Sequence, residues 1–329
     1  MVTKYIAKYF LKTKQILKKE KKDNIVTLQF FQRNDNVVLC GIKEVLALLK
    51  KHTNTKKYSI KYLPDGTIIN NKEVVLELEG RYQYFGILEG MIDGILARSS
   101  SIATNARNAI IAAKGKLVTF MGDRADHYLT QAVDGYSAYI GGIRNIDTTQ
   151  QIKWLSEKPA ENGSIPHLLI QEYEGDLVEA LKAYKKVVGA PVTGLVDFNN
   201  DVIGDSLKCL KEFKEELEAV RVDTSVAIKD KMFLESEDEF GVTSNMIKRL
   251  RTALDDNGGK HVKIIVSSGF TAQRIAEFEE ANTPVDVYGV GASMMKIWVN
   301  FSADAVKLNG KEIAKFGRGY SYNPNLIKF

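Results

Sequence analysis

From about residue 116 to residue 296 the chain repeats one pattern: a short, almost wholly apolar run, a polar or glycine-rich corner, then an amphipathic stretch. The runs are KLVTFMG, SAYIGG, GLVDFNND, AVRVDT, HVKIIVSSG and VDVYGVGASM. Short apolar runs that do not alternate with polar residues suit strands covered on both faces. Interleaved helices make such a sheet parallel. The helical stretches are GDSLKCLKEFKEELEA, with Leu207, Leu210, Phe213 and Leu217 on one side, TSNMIKRLRTALDDNGG, closed by Gly258–Gly259, and FTAQRIAEFEEA. Fewer than eight strand–helix units are clear, so the expected fold is α/β with an irregular β/α barrel; a doubly wound open sheet is the alternative. Either one builds its site at the C-terminal ends of the strands. Those ends carry Asp197, Asp223, Ser267–Ser268–Gly269 and Gly289–Val290–Gly291.

The first hundred residues read differently. IVTLQFFQ and VVLELEG predict strands, and GIKEVLALLKK predicts a helix with Val45, Leu48 and Leu49 on one face. LPDGT is a turn, its proline setting the first dihedral and its glycine taking the positive one. An apolar helix is expected from Phe85 to about Ala113, ended by Gly115, and the final AVKLNGKEIAKFGRGYSYNP predicts a hairpin turning at Asn309–Gly310.

With 44% hydrophobic and 26% charged residues, the chain is globular in composition. The net charge of +5 is concentrated in KYFLKTKQILKKEKK and LKKHTNTKKYSIK. Such clusters suit a polyanion, either nucleic acid or a small phosphorylated substrate, and equally a solvated surface. Cys40 and Cys209 stand apart with no CxxC or Cys/His spacing, so neither a disulfide framework nor a structural zinc is expected. The longest apolar region is broken by Glu89, Asp93, Arg98, Asn105 and Arg107, and the N-terminus lacks a signal-type apolar core. A soluble, cytoplasmic protein is expected, not a membrane one.

The strand ends suggest chemistry. SSGFTAQRI and GVGASM place small residues and backbone N–H groups at helix starts in two consecutive units, a pattern for holding phosphate, although glycines also simply make tight turns. Asp197 and Asp223 would then hold magnesium or ribose hydroxyls. In a regular strand Arg221 points to the same side as Asp223, where a structural ion pair is the alternative. MGDRADHY offers Arg124 and His127; an arginine there can stabilise phosphate charge or lie idle on the surface. His167, one of only four histidines, follows GSIP and opens an amphipathic stretch. It is either a nucleophile toward phosphorus, a proton carrier, or a structural residue.

These pieces, in this order, resemble the nicotinate phosphoribosyltransferase family, closest to its short, archaeal-type branch. The matching stretches are YFLKT with Tyr9, FGILEGMIDGILARSSSIATNARN, MGDRA with Met121 and Gly122, SAYIGG with Tyr139, GSIPH (163–167), LVDF, VRVDT, VSSGFTAQRI and DVYGVG. They cover the chain from about Tyr9 to about Lys315. The resemblance implies a type II phosphoribosyltransferase-like barrel over residues 101–296, beside a smaller α/β domain of residues 1–100 completed by 297–329. It implies transfer of the 5-phosphoribosyl group from phosphoribosyl pyrophosphate to nicotinate, with Mg2+, and with ATP as co-substrate phosphorylating His167. It also implies a homodimer or larger assembly in which Tyr9 stacks over the neighbour's pyridine ring. Arg124 would stabilise the leaving pyrophosphate, Asp197 and Asp223 the ribose or metal, and Ser268, Gly269, Gly289 and Gly291 the 5-phosphate, with Ser267 beside them in the substrate site. Met121, Gly122, His127, Tyr139, Thr148 and Arg221 would complete the substrate site.

Departures from the family pattern matter. Met121 stands where an aromatic wall is usual, with Phe120 as a replacement by a small shift; Ala125 replaces a second arginine; zinc-ribbon cysteines are missing. In RNIDTT, Asp147 takes the place of a serine near the substrate carboxylate, as in nicotinamide phosphoribosyltransferases, which makes the amide the alternative substrate. Quinolinate phosphoribosyltransferase motifs, with extra cations for a second carboxylate, are not seen. A non-catalytic nucleic-acid-binding protein on the same fold is the rival of another class. The basic segments lack interleaved aromatics beyond Tyr5, Tyr9 and Phe10, so no nucleic acid partner is expected.

Overall fold

The computed structural model describes residues 2–157, 160–161, 164–189 and 191–329. In chain order its elements are α1 (Lys8–Lys19), β1 (Ile25–Phe31), β2 (Val37–Val38), α2 (Ile42–His52), β3 (Ser59–Tyr62), β4 (Ile68–Ile69), β5 (Leu76–Arg81), α3 (Tyr82–Phe85) and α4 (Glu89–Ala112). The repeating part follows: β6 (Leu117–Phe120), α5 (Gln131–Ile140), β7 (Asn145–Ile146), β8 (Ala160–Glu161), α6 (His167–Glu172), α7 (Leu177–Val188), β9 (Val192–Leu195), α8 (Val202–Phe213) and β10 (Leu217–Val222). It closes with α9 (Ser244–Asp256), β11 (Lys263–Val266), α10 (Ala272–Glu280) and β12 (Val287–Val290), before β13 (Ser302–Leu308) and β14 (Ile327–Lys328). The chain divides into two compact units, 1–104 with 137–141 and 296–329, and 105–136 with 142–295. The first cut therefore falls inside α4, and residues 137–141, which include the end of α5, group with the first unit.

The first unit holds a five-stranded sheet in the order β13-β1-β5-β3-β14, with antiparallel pairing throughout, and a small β2-β4 pair. Its core includes Phe30, Leu76 and Leu78 from the sheet, Val45 and Leu49 from α2, and Phe85, Leu88 and Ile92. The LPDGT turn does more than reverse the chain. Gly66 takes φ +91° as its position requires, and the Asp65 carboxylate accepts from the N–H groups of Ile42 and Lys43 at 2.8 and 3.1 Å, capping α2.

The second unit is a curled parallel sheet in the order β8-β7-β6-β12-β11-β10-β9, open at both edges among the described residues. Each return helix buries one stripe: Val202, Cys209, Leu210 and Phe213 on α8, Met246, Ile247, Leu250 and Leu254 on α9, Ile275 and Phe278 on α10. Truncating a fully buried member such as Leu250 to alanine costs about 2–5 kcal/mol. Asp176, Asp201, Thr243 and Thr271 cap α7 to α10 with their own side chains, so each helix starts where the loop from the rim delivers such a residue.

Four expectations need correction. SAYIGG is the end of helix α5, not a strand; buried Ala132, Asp134, Gly135, Ser137 and Ala138 give it a helical inner face that its small residues concealed. Helix α8 stops at Phe213, Leu217 begins β10, and Leu207 is only half-buried. The long helix begins as α3 and a 3-10 turn at Gly86–Leu88 before α4 proper. Asn309 and Gly310 do turn the chain, at φ +48° and +77°, but the residues beyond meet Leu308 in one isolated bridge. The pairing partner of β13 is β1.

Candidate active site

The parallel register brings the strand ends to one rim: Val222 is level with Val266, Val290 with Phe120, and Phe120 with Ile146. The residues next in sequence are Asp223, Ser267, Gly291, Met121 and Asp147, while Asp197 follows the end of β9 by two. Gly163 lies outside the described residues. Ser164 and His167, also past β8, join the cluster through hydrogen bonds.

His167 opens α6 and places Nε2 3.1 Å from Asp197 Oδ1, its ring stacked on Phe198 at 6.3 Å between centroids. Burial pushes the Asp197 carboxyl above the usual range; the His167 bond and charge pull it back, and the Asp223 charge raises it. Arg221 Nη1 donates to Ser164 Oγ at 2.9 Å, and Nη2 lies 3.6 Å from Asp223 Oδ2. Ser267 Oγ donates to Asp223 Oδ1 at 2.6 Å. Ser164, Arg221, Asp223 and Ser267 thus form one chain of contacts beside the His167–Asp197 pair. Arg221 Nε and Thr224 Oγ1 are buried there without hydrogen-bond partners among the described residues.

Asp147 belongs to the same electrostatic field. Burial pushes its carboxyl up to about 7, Asp123 adds to the rise, and Arg221 and Arg124 oppose it. Its loop is set by Gln151, fully buried, whose Oε1 accepts from the N–H groups of Asp147 and Thr148 at 3.2 and 3.1 Å. Gly135 is obligatory beneath it, since a β-carbon there would meet Gln151 O at 2.1 Å. Thr148 Oγ1 donates to Gln131 Oε1 at 3.1 Å and so serves the loop. Gln131 and Gln151 had no signal in the sequence, and Ser164 stood in the GSIPH motif without a role, because an uncharged side chain declares its use only when its partner is known.

Other predicted residues take different places. Ser267 is buried and its hydroxyl is committed to Asp223, while Ser268 and Gly269 make a turn at φ +75° and +73°. Gly289 and Gly291 make room for Met121: β-carbons would lie 2.6 Å from its Sδ and 2.5 Å from its carbonyl oxygen. Phe120 is wholly buried with its ring against Gly122, so it cannot replace Met121 as a wall. Arg124 and His127 are both exposed on the loop after β6; His127 Nδ1 accepts from Leu129 N at 3.3 Å and its ring stacks on Tyr128. Tyr9 and Tyr139 belong to the first unit, Tyr9 exposed on α1 and paired with Phe10 at 4.2 Å, Tyr139 half-buried in α5.

Among the described residues no group of three or more His, Cys, Asp or Glu side chains is set to hold a metal. Asp197 and Asp223, close enough for the charge of one to raise the proton affinity of the other, fit magnesium in its usual manner, one or two carboxylates completed by water and substrate phosphate.

A mixed α/β chain with a curled parallel sheet of this kind has the type II phosphoribosyltransferase fold. Residues 8–100 match the family model "Quinolinate phosphoribosyl transferase, N-terminal domain". The nicotinate-nucleotide pyrophosphorylase of Pyrococcus furiosus superposes with a TM-score of 0.86 at 31% identity, over 97% of this chain and 79% of that one. Human nicotinic acid phosphoribosyltransferase shares the fold at 14% identity, with a TM-score of 0.74 over 95% of this chain and 76% of that one. The nicotinate phosphoribosyltransferase pncB2 of Mycobacterium tuberculosis is 25% identical over 264 residues, 78% of this chain and 51% of that protein. The chain belongs to the nicotinate phosphoribosyltransferase family, within the wider group that includes the quinolinate enzymes. It spans about half the length of the curated relatives it matches. Among the described residues no helix is long and apolar enough to cross a membrane.

Proposed function

We propose that this chain, as a member of the short archaeal-type branch, transfers the 5-phosphoribosyl group from phosphoribosyl pyrophosphate to nicotinate, releasing pyrophosphate. The observation that carries the reading is the linked rim cluster: His167 on Asp197, and Arg221 and Ser267 on Asp223. Breaking the C1–pyrophosphate bond builds a cationic sugar and an anionic leaving group. Catalysis therefore rests on fixed charge and alignment. Asp197 and Asp223 hold the ribose hydroxyls or, with substrate phosphate, magnesium, which when bound offsets the charge of the departing pyrophosphate. Arg124, on the loop after β6, adds cationic charge there. The turn at Ser268–Gly269 takes the 5-phosphate.

Coupling to ATP follows from the histidine. With Nε2–H donated to Asp197, the lone pair sits on Nδ1, which can attack the γ-phosphorus as ADP leaves. A homo-oligomer with Tyr9 shared between subunits is part of the same reading and is supported by the exposure of Tyr9. Asp147 favours a second substrate. Ionised, it accepts a hydrogen bond from the amide of nicotinamide and repels nicotinate; protonated, it donates to nicotinate.

The test is pyrophosphate release by purified protein with phosphoribosyl pyrophosphate and magnesium, nicotinate against nicotinamide, with and without ATP. Release with nicotinate, enhanced by ATP in the wild type but not in His167→Ala, is expected. No release with either base overturns the proposal.

A further inference from the structure

The turn that follows β11 holds a non-glycine residue in a conformation it rarely adopts. Ser268 sits at φ +75° and Gly269 at +73°. A side chain persists in the left-handed region only where its surroundings over-determine it. Here the surroundings are Arg274, in the first turn of α10. Its Nη1 donates to Ser268 O at 2.8 Å and its Nη2 to Val242 O at 2.6 Å. The guanidinium lies over the rings of Phe270 and Phe278, 4.5 and 5.8 Å from their centroids, and both rings are buried. Ser293 Oγ donates to Phe270 O at 2.7 Å, tying the same turn to the segment after β12.

Peptide planarity turns this grip into aim. In a trans peptide the N–H points opposite to the preceding C=O, so fixing the Ser268 carbonyl on the guanidinium directs the Gly269 N–H away from it. That N–H makes no hydrogen bond among the described residues. Backbone N–H groups presented by a tight turn form an anion-binding concavity. We infer that Arg274 is a positioning residue for phosphate monoester binding: it never meets the ligand, but holds the Ser268–Gly269 turn so that its backbone does. This rests on the phosphoribosyl reading, which assigns the turn to the 5-phosphate.

Titration calorimetry with ribose 5-phosphate and, separately, with pyrophosphate tests it, alongside steady-state kinetics. In Arg274→Met, which keeps the apolar stacking but removes both donors, ribose 5-phosphate affinity is expected to fall about tenfold, with KM for phosphoribosyl pyrophosphate rising in step and kcat holding within about twofold. Pyrophosphate affinity should stay unchanged, whereas general damage to the fold would weaken both ligands. Arg274→Lys retains the charge but cannot span two carbonyls, and covers the case in which the methionine variant unfolds; a loss of about threefold for ribose 5-phosphate alone is expected. Variants that bind ribose 5-phosphate as the wild type does overturn the role of Arg274. A wild type that binds neither ligand overturns the phosphoribosyl reading itself.

Discussion

Replacing Asp147 with asparagine isolates the cost of ionising a half-buried carboxyl. In the folded protein its proton affinity is raised, to a pKa of about 7, chiefly by burial and secondarily by Asp123, against the pull of Arg221 and Arg124. Unfolded, an aspartate titrates near 3.9. Between these values the folded state binds more protons than the unfolded state, so the group removes stability as pH rises through that window and none further above it. A carboxyl raised this far loses at most about 4 kcal/mol of folding stability on ionising; partial solvent exposure reduces this to roughly 1–2 kcal/mol. An asparagine at this position has no proton to lose. Urea unfolding should therefore give equal stability for wild type and Asp147→Asn at pH 4, and a variant more stable by about 1–2 kcal/mol at pH 8.5. A difference that does not change with pH, or a variant less stable at pH 8.5, would refute the reasoning about burial. The same titration bears on choice of substrate. Wild-type kcat/KM for nicotinate should fall as pH rises through about 7 while that for nicotinamide does not, and Asp147→Asn should abolish the fall.

Three further outcomes follow from local geometry. Gly291→Ala drives a β-carbon against the Met121 carbonyl oxygen, a backbone atom that cannot step aside, and should cost about 1–3 kcal/mol in chemical denaturation. Gly289→Ala meets chiefly the end of the Met121 side chain, so it should cost less, and pairing it with Met121→Ala should recover the loss. Asp197→Asn replaces a partly buried, acceptor-only carboxylate with an amide that can donate as well as accept, and so no longer selects one His167 tautomer. Its ATP-coupled rate should drop about 100-fold with thermal stability retained or raised, and an unchanged ATP effect would sever Asp197 from the histidine.

Whatever depended on neighbours in sequence was legible from the chain alone. Apolar runs flanked by turn residues marked β6, β9, β10, β11 and β12, and amphipathic stretches marked the helices α8, α9 and α10 between and after them. The alternation put Asp197, Asp223 and Ser267 at strand ends, and the i, i+2 rule put Arg221 on the side of Asp223, where the structure has it at 3.6 Å. SAYIGG failed because a short run of small and apolar residues satisfies a strand and a buried helix equally, and only packing chooses.

What only the tertiary structure decided is how each side chain and backbone group is used. Ser267 could have met a phosphate; the register places it on Asp223. Gly289 and Gly291 read as a phosphate loop, yet they admit Met121 across the sheet. Gln151 carried no signal, and Ser164 and Arg274 stood in quoted motifs without a role of their own, since their partners lie 4, 57 and 6 or 32 residues away. Local sequence sets backbone periodicity and the direction of a side chain. Its partner, its burial and hence its proton affinity come from groups that only the folded sheet brings within hydrogen-bonding distance.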